Sequence, residues 1–179
     1  MPFNSWNSSL ITLQAAGPAL ANSTTQTSVL NGQAKFTLPA EFLQFVGQKL
    51  RITAAGIIST AASAPGTFSW TVEFGSIAVF AGGASGTLAT SASNVPWTLD
   101  INLTVRSVGS GTSATIAGSG KFMSAALSAT TPVQLLTSPG ALTGFDTTVA
   151  SVIDLQGTWS VASASNTITC QDYELISCN

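Results

Sequence analysis

Residues 97–106 alternate without a break. Trp97, Leu99, Ile101, Leu103 and Val105 interleave with Thr98, Asp100, Asn102, Thr104 and Arg106. In an extended strand successive side chains point to opposite faces, so this period of two puts five apolar groups on one side and five polar groups on the other. A helix would spread the same residues around its circumference. The segment therefore reads as a half-buried β-strand, limited by Pro96 before it and Gly109 after it. Such a strand needs a sheet around it and a second layer to cover its apolar side.

The rest of the chain repeats the theme. Strands are expected over residues 33–38, stopped by Pro39, and over 48–59, with Leu50, Ile52 and Ala54 on one face. Gly56 interrupts the latter, as a bulge or a close approach would. After a Pro65-Gly66 turn, Phe68, Trp70, Val72 and Phe74 alternate with polar partners, and residues 77–80 form a short apolar strand, a hairpin with the strand before. Residues 81–93, almost all Gly, Ala, Ser and Thr, read as a loop, and 130–144, with Pro132, Pro139 and Gly140, as irregular chain. Further strands are expected over 112–127, 147–155 (continuing or restarting at 158–161) and 167–178. No segment sustains a helical period. The pattern is all-β: a jelly-roll-like antiparallel β-sandwich, with an immunoglobulin-like sandwich as the alternative.

Residues 1–30 differ from this body. They are rich in turn formers, and Gly17-Pro18 punctuates them. The expectation is an extended N-terminal arm over 1–30 and a sandwich domain over 31–179. Phe3, Trp6, Leu10, Ile11 and Leu13 are the apolar residues of that arm. Leu10-Ile11-Thr12-Leu13 reads as a short strand. Two readings stand for Phe3 and Trp6: they fold back on their own domain, or they anchor the arm on a neighbouring subunit. The five together are the candidate capsid- or subunit-anchoring residues.

Charge then narrows the function. Lys, Arg, Asp and Glu make up 7% of the 179 residues, against about 25% in ordinary soluble domains, while hydrophobic residues make up an ordinary 45%. The chain folds, and its polar surface is hydroxyl- and amide-rich. Net charge is −2, and the five cationic residues are scattered, so the electrostatic footprint of nucleic-acid binding is missing. A surface this poor in charge lacks the self-repulsion that keeps subunits apart and suits a crowded assembly. The longest uncharged stretch, 122–145, is broken by prolines, glycines and hydroxyls and does not read as a membrane span. The start has neither a basic nor an apolar leader region, so the cytoplasm is the expected site of synthesis. Cys170 and Cys178 would stand about 26 Å apart on one extended strand. They read as unpaired thiols, since a bridge would need a turn between them.

Catalytic apparatus is not legible. The chain has no histidine, which removes Ser-His-Asp and Cys-His arrangements and the usual imidazole metal sites. Gly118-Ser119-Gly120-Lys121 imitates part of a phosphate loop, but Thr115 stands where its first glycine belongs and Phe122 where Ser or Thr belongs. Asp172 and Glu174 share one strand face, which reads as solvated rather than as a glycosidase pair. Asp146 could supply an oxygen ligand to calcium, without the acidic loop that usually surrounds one. No cofactor, metal or catalytic residue is expected, and the chain is read as a non-enzyme.

Several runs resemble small structural proteins of tailed bacteriophages. They are Asn94-Val95-Pro96-Trp97 with Leu103-Thr104-Val105-Arg106-Ser107-Val108-Gly109-Ser110, Lys49 to Gly56, Thr158 to Ser163, and Ser165 to Cys170 with the ending Ser177-Cys178-Asn179. The likeness spans about residues 45–179 and is one of strand and turn patterns. It implies a virion component assembled in the host cytoplasm, of the jelly-roll decoration or cement type. Such a protein docks as a homotrimer on the major capsid protein or another virion protein, without nucleic acid or membrane as partner. The alternatives are a receptor- or carbohydrate-binding module on a tail or head fibre and, more remotely, a hydrolase using two carboxylates.

Overall fold

The computed structural model describes residues 7–127, 132–137 and 144–178. The described residues form strands β1 (Asn7–Thr12), β2 (Leu20–Ala21), β3 (Thr27–Ser28), β4 (Phe36–Leu38), β5 (Lys49–Ser59), β6 (Phe68–Phe74), β7 (Ile77–Ala84), β8 (Val95–Ser107), β9 (Thr115–Ser124), β10 (Val133–Thr137), β11 (Ser151–Trp159) and β12 (Thr167–Cys178). A 3-10 turn, Gly32–Ala34, is capped by the Asn31 side chain.

The strands make two antiparallel sheets, and the fold is the expected β-sandwich. The larger sheet runs β1-β12-β5-β8-β9-β10, with β2 also on β12. The smaller runs β3-β11-β6-β7, with β4 also on β11. Hairpins join β6 to β7 and β8 to β9 within a sheet, whereas the connections β5–β6, β7–β8, β10–β11 and β11–β12 cross between sheets. These crossings bring strands distant in sequence together, as in Greek-key and jelly-roll folds.

The alternation of β8 decides where the core lies. Trp97, Leu99, Ile101, Leu103 and Val105 are all buried, and β5 faces them with Leu50, Ile52 and Ala54. From the smaller sheet Phe68, Trp70, Val72 and Phe74 point back at them. The rings meet edge-on: Phe68 lies 4.9 Å from both Trp70 and Trp159, and Trp70 5.6 Å from Phe122. Such contacts add to the burial of these large side chains. Gly56 is a close approach: a Cβ there would fall 1.9 Å from the Thr169 carbonyl oxygen. The irregularity it signals lies on its partner strand, between Cys170 and Asp172.

Residues 7–30, set apart as an arm in the sequence, run along the sandwich. β1 and β2 pair with β12, and β3 pairs with β11. Leu10, Ile11 and Leu13 pack against the chain's own core, and Trp159 Nε1 donates to the Leu20 carbonyl at 3.2 Å. Phe3 and Trp6 lie outside the described residues. Two segments expected as irregular contain strands: β7 continues to Ala84, and β10 forms within 130–144, on β9.

Candidate binding surfaces

The outer face of the larger sheet collects polar side chains from four strands and an exposed leucine from a fifth. Register places Glu174 (β12), Thr53 (β5), Asp100 (β8), Lys121 (β9) and Leu135 (β10) in one cross-strand row. A neighbouring row holds Arg51, Asn102 and Ser119. Two shallow depressions follow these rows. One lies among Asp100, Asn102, Ser119, Lys121 and Leu135, the other among Thr53, Thr98, Asp100, Lys121 and Asp172, so they meet at Asp100 and Lys121.

One pair on this face is fixed. Arg51 Nε donates to Asp100 Oδ1 at 3.1 Å and Arg51 Nη2 to Asp100 Oδ2 at 2.6 Å, a bidentate clamp across two strands. The hydrogen bond, and after it the charge of Asp100, pushes the Arg51 guanidinium above its ordinary range. The side chains of Thr53, Asn102, Ser119, Lys121, Asp172 and Glu174 make no hydrogen bond among the described residues, and Leu135 is 78% exposed.

The outer face of the smaller sheet is built differently. Glu73 and Asp154 are cross-strand partners, and Gln156 Nε2 donates to Glu73 Oε2 at 2.6 Å and to Asp154 Oδ2 at 3.2 Å. Gln26, from the N-terminal segment, donates to Glu73 Oε1 and to Gln156 Oε1 at 2.7 Å each. Lys35 Nζ lies 2.8 Å from Asp154 Oδ2, and Ser28 Oγ donates to Asp154 Oδ1 at 2.6 Å. Each carboxylate oxygen here is engaged by the chain itself.

A third surface is the sandwich end where three connections meet. Gly47 N donates to Val105 O at 2.8 Å, Glu41 N to Thr147 O at 2.7 Å, and Thr147 N to Gly109 O at 3.0 Å. These bonds tie the β4–β5, β8–β9 and β10–β11 connections together. The same connections expose Phe45 (68%), Val46 (64%), Val149 and Val108.

Several residues weighed in the sequence now have places. Asp146 closes its own loop: Oδ1 accepts from Thr148 N at 2.7 Å, Oδ2 from Gly111 N at 2.7 Å. The hydrogen bond from the Thr148 hydroxyl first, and then those from the Gly111 and Thr148 backbone, hold its carboxyl below the usual range. Among the described residues no group of three or more Cys, Asp or Glu gathers to hold a metal. Gly118 and Gly120 lie inside β9, not in a phosphate loop, and a Cβ on Gly118 would fall 2.2 Å from the Phe80 ring. Asp172 and Glu174 sit on the outer face of β12. Cys170 and Cys178 are unpaired, and burial pushes the Cys170 thiol up to about 12. No helix among the described residues is long and apolar enough to cross a membrane.

The sequence matches no protein family and no curated protein. Among solved structures, the CBM2 module of the evolved Dit of Lactobacillus casei BL23 phage J-1 overlaps 98% of this chain and 97% of its own at 11% identity and a TM-score of 0.42. A protein of unknown function from Shewanella oneidensis MR-1 overlaps 96% of this chain and 78% of its own at 13% identity and a TM-score of 0.40. Both superpositions are loose, and neither bears on function.

Proposed function

We propose that the chain is a non-enzymatic structural protein of a virion, a capsid decoration or cement component that docks on the particle as a homotrimer. The observation that carries this reading is the apolar loop end. A chain with only 7% charged residues places Phe45, Val46, Val108 and Val149 in solvent on connections that are hydrogen-bonded to one another. Burying a large apolar side chain against a partner contributes about 1.5–3 kcal/mol, which makes Phe45 and Val46 the candidates for the centre of an interface. The strand-and-turn resemblance to small phage structural proteins supports the virion setting.

The test is native mass by light scattering, with location on the particle by electron microscopy. The expected mass is three times the 18.1 kDa of one chain, and Phe45→Ser with Val46→Ser abolishes docking while the melting transition is kept. A monomer that stays monomeric on the particle, or docking that survives both substitutions, overturns the proposal. A second reading, a receptor-binding module of a tail or head fibre, draws on the polar face of the larger sheet.

A further inference from the structure

We infer that the outer face of the larger sheet binds a neutral, hydroxyl-rich oligosaccharide in the trough that runs through Asp100 and Lys121. This names the ligand class for the receptor-binding reading and rests on that reading. It is independent of the loop end.

The first ground is chemical. A sugar hydroxyl both donates and accepts, so its binding site must present both functions within reach. Glu174, Asp100 and Asp172 offer acceptors, Lys121 and Arg51 offer donors, and Asn102 offers both, all on adjacent strands. Hydrogen bonds to charged partners are the stronger kind. The face carries Lys49, Arg51, Arg106 and Lys121 against Asp100, Asp172 and Glu174, seven of the chain's twelve charged residues. The two signs nearly cancel, so neither an anion nor a cation is selected by charge alone.

The second ground is the contrast with the smaller sheet. There, each carboxylate is closed by its own neighbours. On the larger sheet, among the described residues, Arg51 and Asp100 form the one ion pair, and that clamp fixes the Asp100 carboxylate. A group held before binding loses less freedom on binding.

The third ground is what the face excludes. Its backbone groups are already paired within the sheet, so a peptide cannot add as a strand there. The trough is shallow and, among the described residues, lined by no aromatic ring, which disfavours a flat apolar ligand. Leu135 supplies one apolar wall next to Lys121, suited to the C–H face of a sugar ring. Thr53 to Leu135, both lining the trough, spans three inter-strand steps of about 4.8 Å each, about 14 Å in all, which calls for an oligomer rather than one ring.

The experiment uses the full chain on an array of neutral, acidic and amino-bearing oligosaccharides, followed by calorimetric titration of the neutral ones. A neutral oligosaccharide is expected to bind, with affinity changing less than about twofold as salt is raised, because screening acts on charge pairs. Asn102→Ala with Lys121→Ala is expected to weaken it roughly tenfold or more, with an unchanged melting transition. Absence of binding at millimolar sugar overturns the inference, as does equal affinity of the double variant, or a preference for acidic sugars with steep salt dependence. Phe45→Ser with Val46→Ser serves as the control: it is expected to bind sugar normally. Loss of docking in the control with sugar binding retained, together with the reverse in the double variant, supports both surfaces. Loss of sugar binding in the control overturns this inference, and loss of docking in the double variant overturns the loop-end reading.

Discussion

On the smaller sheet, Glu73, Asp154 and Gln156 face outward and are closed by Gln26, Ser28 and Lys35. On the larger sheet, Asn102, Lys121, Asp172 and Glu174 also face outward, and among the described residues no side chain closes them. The difference traces to the N-terminal segment. Its residues 26–28 and the turn after them lie against β11 and bring partners to that face. On the larger sheet β1 and β2 pair at β12, so among the described residues the N-terminal segment leaves the middle strands β5, β8 and β9 uncovered. The same kinds of residue thus act as glue on one face and as an available surface on the other.

The strongest way to break this contrast is Asp154→Ala. Asp154 is 6% exposed and engaged by Lys35, Ser28 and Gln156. Removing it strands those donors, and a lost partner in a mostly buried network costs about 2–3 kcal/mol. The expected result is a lower urea midpoint with an unchanged slope. A midpoint within error of the parent would mean that the closed face is not holding the N-terminal segment.

Arg51→Ala comes next. The Arg51–Asp100 clamp is bidentate, but its side chains are 44% and 22% exposed. Exposed pairs contribute about 1 kcal/mol or less and are screened by salt. A loss of that size in dilute buffer, shrinking at 1 M NaCl, is expected. A loss as large as that of Asp154→Ala would make the open face a structural one.

Asp146 separates closure from burial, because its carboxylate is closed by Gly111 and Thr148 while lying in solvent. Its folded value is held below the ordinary 3.8. A group depressed on folding contributes stability above its unfolded value and loses it as pH falls through the folded one. Carboxyl NMR is expected to show Asp146 titrating below 3.8, and Asp146→Asn is expected to flatten the acid side of the stability profile slightly. An Asp146 midpoint at or above 3.8 would mean that these hydrogen bonds do not persist in solution.

Much of the sandwich was legible because its central strands alternate. β5, β6, β8 and β12 fall where period two and the flanking turns put them. β10 was hidden, since Pro132 and Pro139 mark residues 130–144 as irregular, and prolines are tolerated beside an edge strand. The tail of β7 was hidden because Gly82 and Gly83 carry no apolar signal. The polar positions of β8 announced a wet face, but the row from Glu174 to Leu135 joins residues up to 121 apart in sequence and exists only through register. The closing of Asp154 by residues 28 and 35 was equally invisible, since it depends on where the N-terminal segment comes to rest.

The smallest expected effect sharpens the comparison most. Asn102 and Lys121 are exposed and make no side-chain hydrogen bond among the described residues. Nothing in the fold is lost when each is cut to Ala, so each change should stay within about 0.5 kcal/mol. Near-neutrality alone would fit an idle surface as well as a binding one. The discriminating result is near-neutral stability together with loss of oligosaccharide binding. Residues that stabilise the fold reveal themselves by unfolding when removed. Residues kept open for a ligand reveal themselves only when the ligand is present, so urea midpoint and titration must be measured on the same variants.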